Sequence, residues 1–324
     1  FRFGVDPLPI APPPTDLAPN ATVRYFDPTF TNPYTQQWTA GYERRIGEFW
    51  TVMANYTHVL GLHEQTTVEA NPRPVGGGPR RLDAAFAAAG VSNPLGSIRL
   101  FSSISRSRYD AVNVTLRRAF HGKLYWQASY VLSRAVTYGG RYSSSYNFGR
   151  ARVSDTEVFA PGEFGPTSAD ERHRFVSSAI ILLPHGFELA PVVQAASARP
   201  YTLFSGNDDN GDGVFGGSGE EGIFGDRLTV NGVQLPVNSQ RGDPFFQLDL
   251  RLSKGFQVAD KAELRLVADF FNLLNTANFG NNFFNVGEAA RLNPQPRGLF
   301  GKQGEVGSTL GVPFAAQLGM RISF

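Results

Sequence analysis

Apolar side chains recur at every second position in about nine stretches of this chain, each near ten residues long. The last is the plainest: Phe314, Ala316, Leu318, Met320, Ile322 and Phe324 alternate with small or polar residues up to the final Phe. A period of two puts one set of side chains on each face of a strand. Trp38, Ala40 and Tyr42 form such a set, followed after a turn at 45–48 by Trp50, Val52, Ala54 and Tyr56. Val112, Val114 and Leu116 precede a turn at 119–122, and Leu124, Trp126, Ala128, Tyr130 and Leu132 follow it. A third pair spans about 174–183 and 187–197 around Pro184-His185-Gly186. A fourth presents Phe246, Leu248, Leu250 and Leu252, then Leu264, Leu266, Ala268 and Phe270.

Long stretches separate the pairs: 61–107, 138–173, 201–244 and 274–313. In a compact soluble domain, structureless loops beyond ~12–15 residues count against an assignment. Outer-membrane barrels instead alternate short periplasmic turns with long extracellular loops, and this chain follows that alternation throughout. The segment Leu82–Ala89 suits one short helix inside a loop.

Charge tests the assignment. Arg or Lys at the membrane midplane costs ~2–4 kcal/mol, so a lipid face must exclude it. Glu43, Arg117, Asp249, Arg251, Glu263, Arg265, Asp269 and Arg321 all fall on the opposite parity, which is then the lumen face. Trp50 and Trp126 sit beside short turns, where a periplasmic aromatic girdle belongs. If Arg251 opposes Glu263, then Asp249 opposes Arg265 and Leu250 faces Leu264, and both inward pairs are complementary. That register is the expectation for this hairpin.

Composition narrows the rest. Gly 35, Pro 22, Phe 27 and Tyr 11 suit many strands and turns, while zero Cys removes disulfides and thiolate chemistry. No run approaches the ~18 apolar residues of a membrane helix. A net charge of +2 gives no reason to expect a nucleic-acid partner. Lys123, Lys254 and Lys261 fall in expected turns, and Lys302 in a loop. The chain begins at Phe1 with neither an initiator Met nor a signal-peptide pattern, which favours a longer parent sequence.

Four blocks resemble a known family. They are NPYTQQWTAGYERRIGEFW (32–50), SRYDAVNVTLRRAFHGKLYWQASYVLSRA (107–135), DERHRFVSSAIILLPHGF (170–187) and DLRLSKGFQVADKAELRLVADFFNLLNTANF (249–279). Together with the terminal strand they resemble, in order and spacing, the C-terminal barrel of TonB-dependent outer-membrane receptors, nearest the Oar-like subfamily. The resemblance implies an all-β fold: a transmembrane antiparallel meander barrel of 22 strands around an N-terminal plug, importing bulky solutes with energy from the TonB complex. It also implies that the strand ending in Phe324 is read by the outer-membrane barrel assembly machinery. Residues 1–324 would be the C-terminal portion, about nine strands, with 1–31 an extracellular loop and 32–324 strands and loops. The plug, its TonB box and any carboxypeptidase-regulatory-like domain would lie outside this sequence.

Candidate chemistry lies in the loops. Asp208, Asn210, Asp212 and Gly213 fit the first half of a calcium loop, where clustered oxygens hold a hard cation. The twelfth position holds Gly219 instead of the bidentate Glu, so the alternative is an acidic Asx-turn loop. Two G-x-G-x-x-G matches at 211–216 and 217–222 lack the strand-to-helix context and have Asp212, Glu220 and Glu221 beside them, which would repel a pyrophosphate. Asp170, Glu171, Arg172 and His173 form a charged cluster at the outer end of a strand, read as a solvated rim network, a ligand contact or, less readily, an acid–base site. Arg141, Tyr142, Tyr146 and Arg150 could line a ligand vestibule, or the loop aromatics could simply pack together. His63-Glu64 lacks the second His of a zinc-protease helix, and no G-x-S-x-G elbow occurs.

These features favour a cell outer-membrane receptor that catalyses no covalent chemistry, requires no cofactor beyond a possible calcium ion, and contacts lipid on one face. A barrel for adhesion or secretion is the alternative, and an outer-membrane hydrolase the third reading.

Overall fold

The computed structural model describes residues 21–91, 95–138, 159, 161–203, 205, 207–209, 211, 226–259, 262–279, 283–284, 295–296 and 313–324. Nine long strands dominate: β1 (Tyr34–Ile46), β2 (Trp50–Glu69), β3 (Ile98–His121), β4 (Leu124–Tyr138), β5 (His173–Leu182), β6 (Phe187–Ala196), β7 (Phe245–Ala259), β8 (Ala262–Phe271) and β9 (Ala315–Ser323). Each pairs antiparallel with its neighbours in sequence, so the sheet is a meander from β1 to β9. Among the described residues β1 and β9 each keep one unpaired edge, and the sheet does not close on itself. The expected helix is present as α1 (Asp83–Ala88) in the β2–β3 loop.

The expected parity holds across the sheet. Trp50, Arg118, Trp126 and Ala179 form one cross-strand row, and Tyr56, Val112, Leu132 and His173 another. On the opposite face, Glu188, Arg251, Ser253, Glu263, Arg265, Val267, Arg321 and Ser323 line one concavity of about 460 Å³. That face is concave, hence the lumen side, and the apolar face is outward. The outward face has no second layer over it: Tyr42 is 61%, Val114 41% and Leu318 82% exposed. Large apolar patches of this kind demand an apolar surrounding. The larger buried apolar side chains, including Ile98, Val136, Leu203, Leu228 and Val237, gather instead at the loop end.

Outward charges mark the limits of the apolar band. On β3, Asp110 and Arg118 bracket Val112, Val114 and Leu116, eight positions apart. At ~3.4 Å per residue that is about 27 Å of strand, and roughly 21 Å once tilted by ~40°, close to the ~25 Å band of an outer-membrane barrel. Trp50 and Trp126 meet edge to face at 5.8 Å on the turn side, as the girdle argument requires.

Three expectations are corrected. First, Arg251 opposes Asp269, not Glu263; Glu263 opposes Gln257, Leu250 opposes Phe270, and Arg265 opposes Gly255. A slip of six residues keeps every side chain on its face, because six is even. The longer hairpin wins because Phe256 and Val258 extend the outward set of β7, and because Arg251 Nε and Nη2 engage both Asp269 oxygens at 2.6 and 2.9 Å. Asp249 instead accepts from the Asn272 amide at 2.8 Å.

Second, Lys254 lies inside β7 rather than in a turn. It is on the outward parity, with its ammonium 4.3 Å from the Phe187 ring centre and 5.0 Å from that of Phe256. Those ring faces, near the membrane boundary, let a cation stand in an apolar set.

Third, much of 61–107 is strand: β2 runs on to Glu69 and β3 begins at Ile98. Irregularities between Gly61 and Thr66 break the alternation there, which hides the extension from a period-two reading. A further short strand, Val23–Phe26, pairs in parallel with Ile98–Phe101.

Candidate functional site

The lumen face changes character around the sheet. Under β2–β4 it is mainly uncharged and polar, with Arg117 near the turns: Thr115 and Ser129 hydroxyls lie 3.0 Å apart, and Ser129 donates to Asn113 Oδ1 at 2.8 Å. Under β6–β9 it is charged. Beyond the Arg251–Asp269 pair, Arg265 reaches Glu263 at 2.9 Å and Glu188 at 3.4 Å. Arg321 stands directly opposite Arg265. Like charges face to face are unfavourable, and the Glu263 and Glu188 carboxylates beside Arg265 offset that repulsion.

Above the lumen, the loops lock onto one another. Arg227 and Glu163 are fully buried, with Arg227 Nη2 donating to Glu163 Oε1 at 2.6 Å and Nη1 to the Gly162 carbonyl at 2.9 Å. Burial pulls the Arg227 pKa below its ordinary value, and the Glu163 carboxylate opposes that shift. The Val237 amide donates to the Gly162 carbonyl at 2.9 Å, and Asn238 Nδ2 to that of Pro166 at 2.8 Å. Gly165 permits this approach: a Cβ there would stand 2.6 Å from the Val237 carbonyl oxygen. The β4–β5 and β6–β7 loops are thus one packed body.

The β2–β3 loop has its own polar core. Asn71 is fully buried; its Oδ1 accepts from the Leu82 amide at 2.8 Å and its Nδ2 donates to the Gly96 carbonyl at 2.9 Å. Gly76 and Gly211 come close enough that a Cβ on Gly211 would lie 3.3 Å from Gly76 Cα, so this loop touches the β6–β7 loop.

The structure separates the candidate cluster. Asp170 is buried and fully engaged: Oδ1 accepts from the Ala135 amide at 2.8 Å, and Oδ2 from Arg241 Nη2 at 3.0 Å. It ties the β6–β7 loop to β4. Arg172 lies 4.0 Å from the same carboxylate, with its side chain 38% exposed. Glu171 pairs with Arg174 at 2.8 Å and Arg199 at 2.7 Å. His173 is on the outward face, with Nδ1 2.7 Å from the Tyr130 hydroxyl. Asp170 and His173 therefore serve different partners.

Of the calcium-loop candidates, Asp208 lies among the described residues; Asn210 and Asp212 lie outside them, as do Arg141, Tyr142, Tyr146 and Arg150. Among the described residues no cluster of three His, Asp or Glu is placed to hold a metal. Sequence reasoning missed Arg227, Glu163 and Arg241, since each finds its partner 64 or 71 positions away. No local pattern signals such pairs. The loop asparagines shape their turns: Asn272 and Asn275 adopt left-handed φ of 46° and 50°, and Asn278 Oδ1 accepts from the Phe246 amide at 2.9 Å.

A single-layer meander with an apolar outer face, a charged concave face and loops on one end only defines a transmembrane β-barrel segment. The chain belongs to the outer membrane beta barrel domain family, whose model matches residues 2–302. It is an outer-membrane barrel chain. Among solved structures, the outer membrane transporter YddB from Escherichia coli aligns over 95% of this chain and 34% of its own, at 13% identity and a TM-score of 0.52. The ferric-catecholate import receptor Fiu from K12 E. coli aligns over 76% and 24% at 9% identity, TM-score 0.41. The copper transporter OprC aligns over 94% and 34% at 9% identity, TM-score 0.42. The last two scores are too low to bear on this chain. The chain spans about a third of the length of the YddB and OprC chains. No curated protein matches it by sequence.

Proposed function

We propose that this chain supplies the C-terminal staves of a TonB-energised outer-membrane receptor that captures a bulky solute with its joined loops and passes it through a charge-lined lumen. The observation that carries this reading is the pairing of a charged concave face with a packed loop body at one end of the same strands. The unpaired edges of β1 and β9 suit a larger barrel, because open edges are not tolerated in lipid. Further staves would cover both, and a plug bearing the TonB contact would fill the lumen beside Arg321 and Arg265. The strand ending in Phe324 would be the segment offered to the barrel assembly machinery. The Oar-like resemblance of the four sequence blocks supports the same class.

Uptake measurements test it. Cells expressing the natural gene should accumulate at least one of a panel of radiolabelled ferric siderophore, cobalamin, oligosaccharide and peptide. Accumulation should fall to background when the gene is deleted or the inner-membrane proton gradient is collapsed. Gene-dependent accumulation that is indifferent to the gradient would contradict TonB energisation. Gene-dependent adhesion with no accumulation would favour the adhesion reading.

A further inference from the structure

The two short turns at 47–49 and 122–123 stand side by side, because β2 pairs with β3 as far as Trp50 and Arg118. They are also tied to each other beyond the ladder. The Ala119 amide donates to the Phe49 carbonyl at 2.7 Å, and the Phe49 and His121 rings stack with centres 3.8 Å apart. Trp50 and Trp126 meet beside them. The two turns therefore form one fixed platform.

That platform is basic. It carries Arg44, Arg45, Arg117, Arg118 and Lys123, against the carboxylates of Glu43 and Glu48. Among the described residues neither carboxylate closes an ion pair. Arg45 and Arg118 donate to carbonyls of their own hairpins, those of Glu48 and Leu124. Such bonds fix the guanidiniums and leave their charge in place. Arg44, Arg117 and Lys123 are exposed and make no hydrogen bond or ion pair among the described residues. Arg45 and Arg117 flank Thr51 in one cross-strand row, two strands and about 10 Å apart. Arg44 is on the outward parity, Arg45 and Arg117 on the inward one, and Lys123 at the tip of its turn. Lipid headgroups reach only the outward cations. A partner that meets both parities and the tip must approach along the barrel axis, from the water beyond the turns. Phe120, 51% exposed, adds an apolar contact at the same level.

We propose that the paired turns dock an acidic segment of a soluble periplasmic protein, at the end where solute leaves the lumen. The proposal rests on the assignment of the short turns to the periplasm. Like charges gathered on one fixed surface raise the local potential and draw a partner of opposite sign. An extended acidic run advances ~3.4 Å per residue, so about three residues span the gap from Arg45 to Arg117. Arg44 and Lys123 extend the contact to either side, and Phe120 takes an apolar neighbour of the acidic run.

The test uses the natural full-length protein in nanodiscs of uncharged lipid, with folding verified by heat-resistant gel mobility. Fluorescence anisotropy measures binding of a labelled poly-glutamate peptide. The natural protein should bind it in low salt and release it in 1 M salt, where the Debye length is ~3 Å. Poly-glutamine of the same length should not bind. The combined Arg44→Gln, Arg117→Gln and Lys123→Gln variant, which breaks no contact within the chain, should lose roughly tenfold in affinity. Arg73→Gln with Arg81→Gln, exposed cations of the β2–β3 loop, should change nothing. A fluorophore on Glu48→Cys should be quenched by peptide carrying a quencher, which locates the contact even if the triple variant fails to fold. No binding to the natural protein, equal binding of poly-glutamine, unchanged affinity in the triple variant, equal loss in the loop variant, or no quenching at position 48 would each overturn the proposal. The sidedness is read separately: in intact cells Glu48→Cys should resist a membrane-impermeant maleimide until the outer membrane is opened. Labelling from outside would overturn the periplasmic assignment itself.

Discussion

Replacing Arg227 with alanine should release the loop body from the barrel mouth while leaving the staves intact. The side chain is fully buried against an equally buried Glu163, and it also closes on the Gly162 carbonyl. Removing one member of a buried pair strands the other charge and costs about 3–5 kcal/mol. Hydrogen exchange at the Val237 and Thr167 amides, whose partners are the Gly162 and Ala135 carbonyls, reads this directly. Exchange there should quicken by ~10²–10³-fold, with β2–β4 amides in the band unchanged. Exchanging the pair for apolar residues, Glu163→Leu with Arg227→Met, should restore most of the protection, since two matched apolar groups leave no stranded charge. Unchanged exchange in Arg227→Ala would mean that the loops are held elsewhere.

A second large effect belongs to the outward face. Val114 lies midway between Asp110 and Arg118, pairs with Ala54 and Tyr130, and is 41% exposed. Val114→Arg should cost ~2–4 kcal/mol in a bilayer. Denaturant titration of the full-length protein in lipid vesicles measures that loss. The adjacent Asn113 is on the lumen face beside Ser129, so Asn113→Arg should cost far less. Equal costs at the two positions would remove the distinction between the faces.

The contrast explains what the sequence could disclose. Lipid imposes a strict parity on each stave, so Trp38, Val114, Leu266 and Leu318 announce their face without help from any partner. The turns expected at 45–48 and around 184–186 were legible for the same reason, because the apolar sets stop there; the first falls at 47–49. Register in the last hairpins was less accessible. Both candidate partners of Arg251, Glu263 and Asp269, are acidic and of one parity, so charge complementarity could not choose between them. The choice fell to Phe256 and Val258, whose continuation of β7 was masked by Lys254 between Leu252 and Phe256. The strand extension beyond Gly61 was hidden because it lies outside the band, where Thr66, Thr67 and Ser102 are buried polar groups and no solvent enforces alternation.

The mouth was legible only as composition. Asp170 and His173 are three residues apart in sequence yet engage different partners, Arg241 and Tyr130. A local charge cluster therefore suggested one site where the fold makes two separate contacts. Glu163 and Arg227 gave no local signal, because burial and pairing were decided by the meeting of two loops.

The account stands most directly on the alternation of environment along one stave. A polarity-sensitive fluorophore placed singly at each cysteine-substituted position from 111 to 117 of β3, in the full-length protein reconstituted in vesicles, reports it. Quenchers attached to acyl chains should act strongly at 112, 114 and 116 and weakly at 111, 113, 115 and 117. Water-soluble iodide should show the reverse order. Uniform quenching along the strand, or acyl-chain quenching at the odd positions, would contradict the assignment of the apolar face to lipid and with it the barrel reading of this chain.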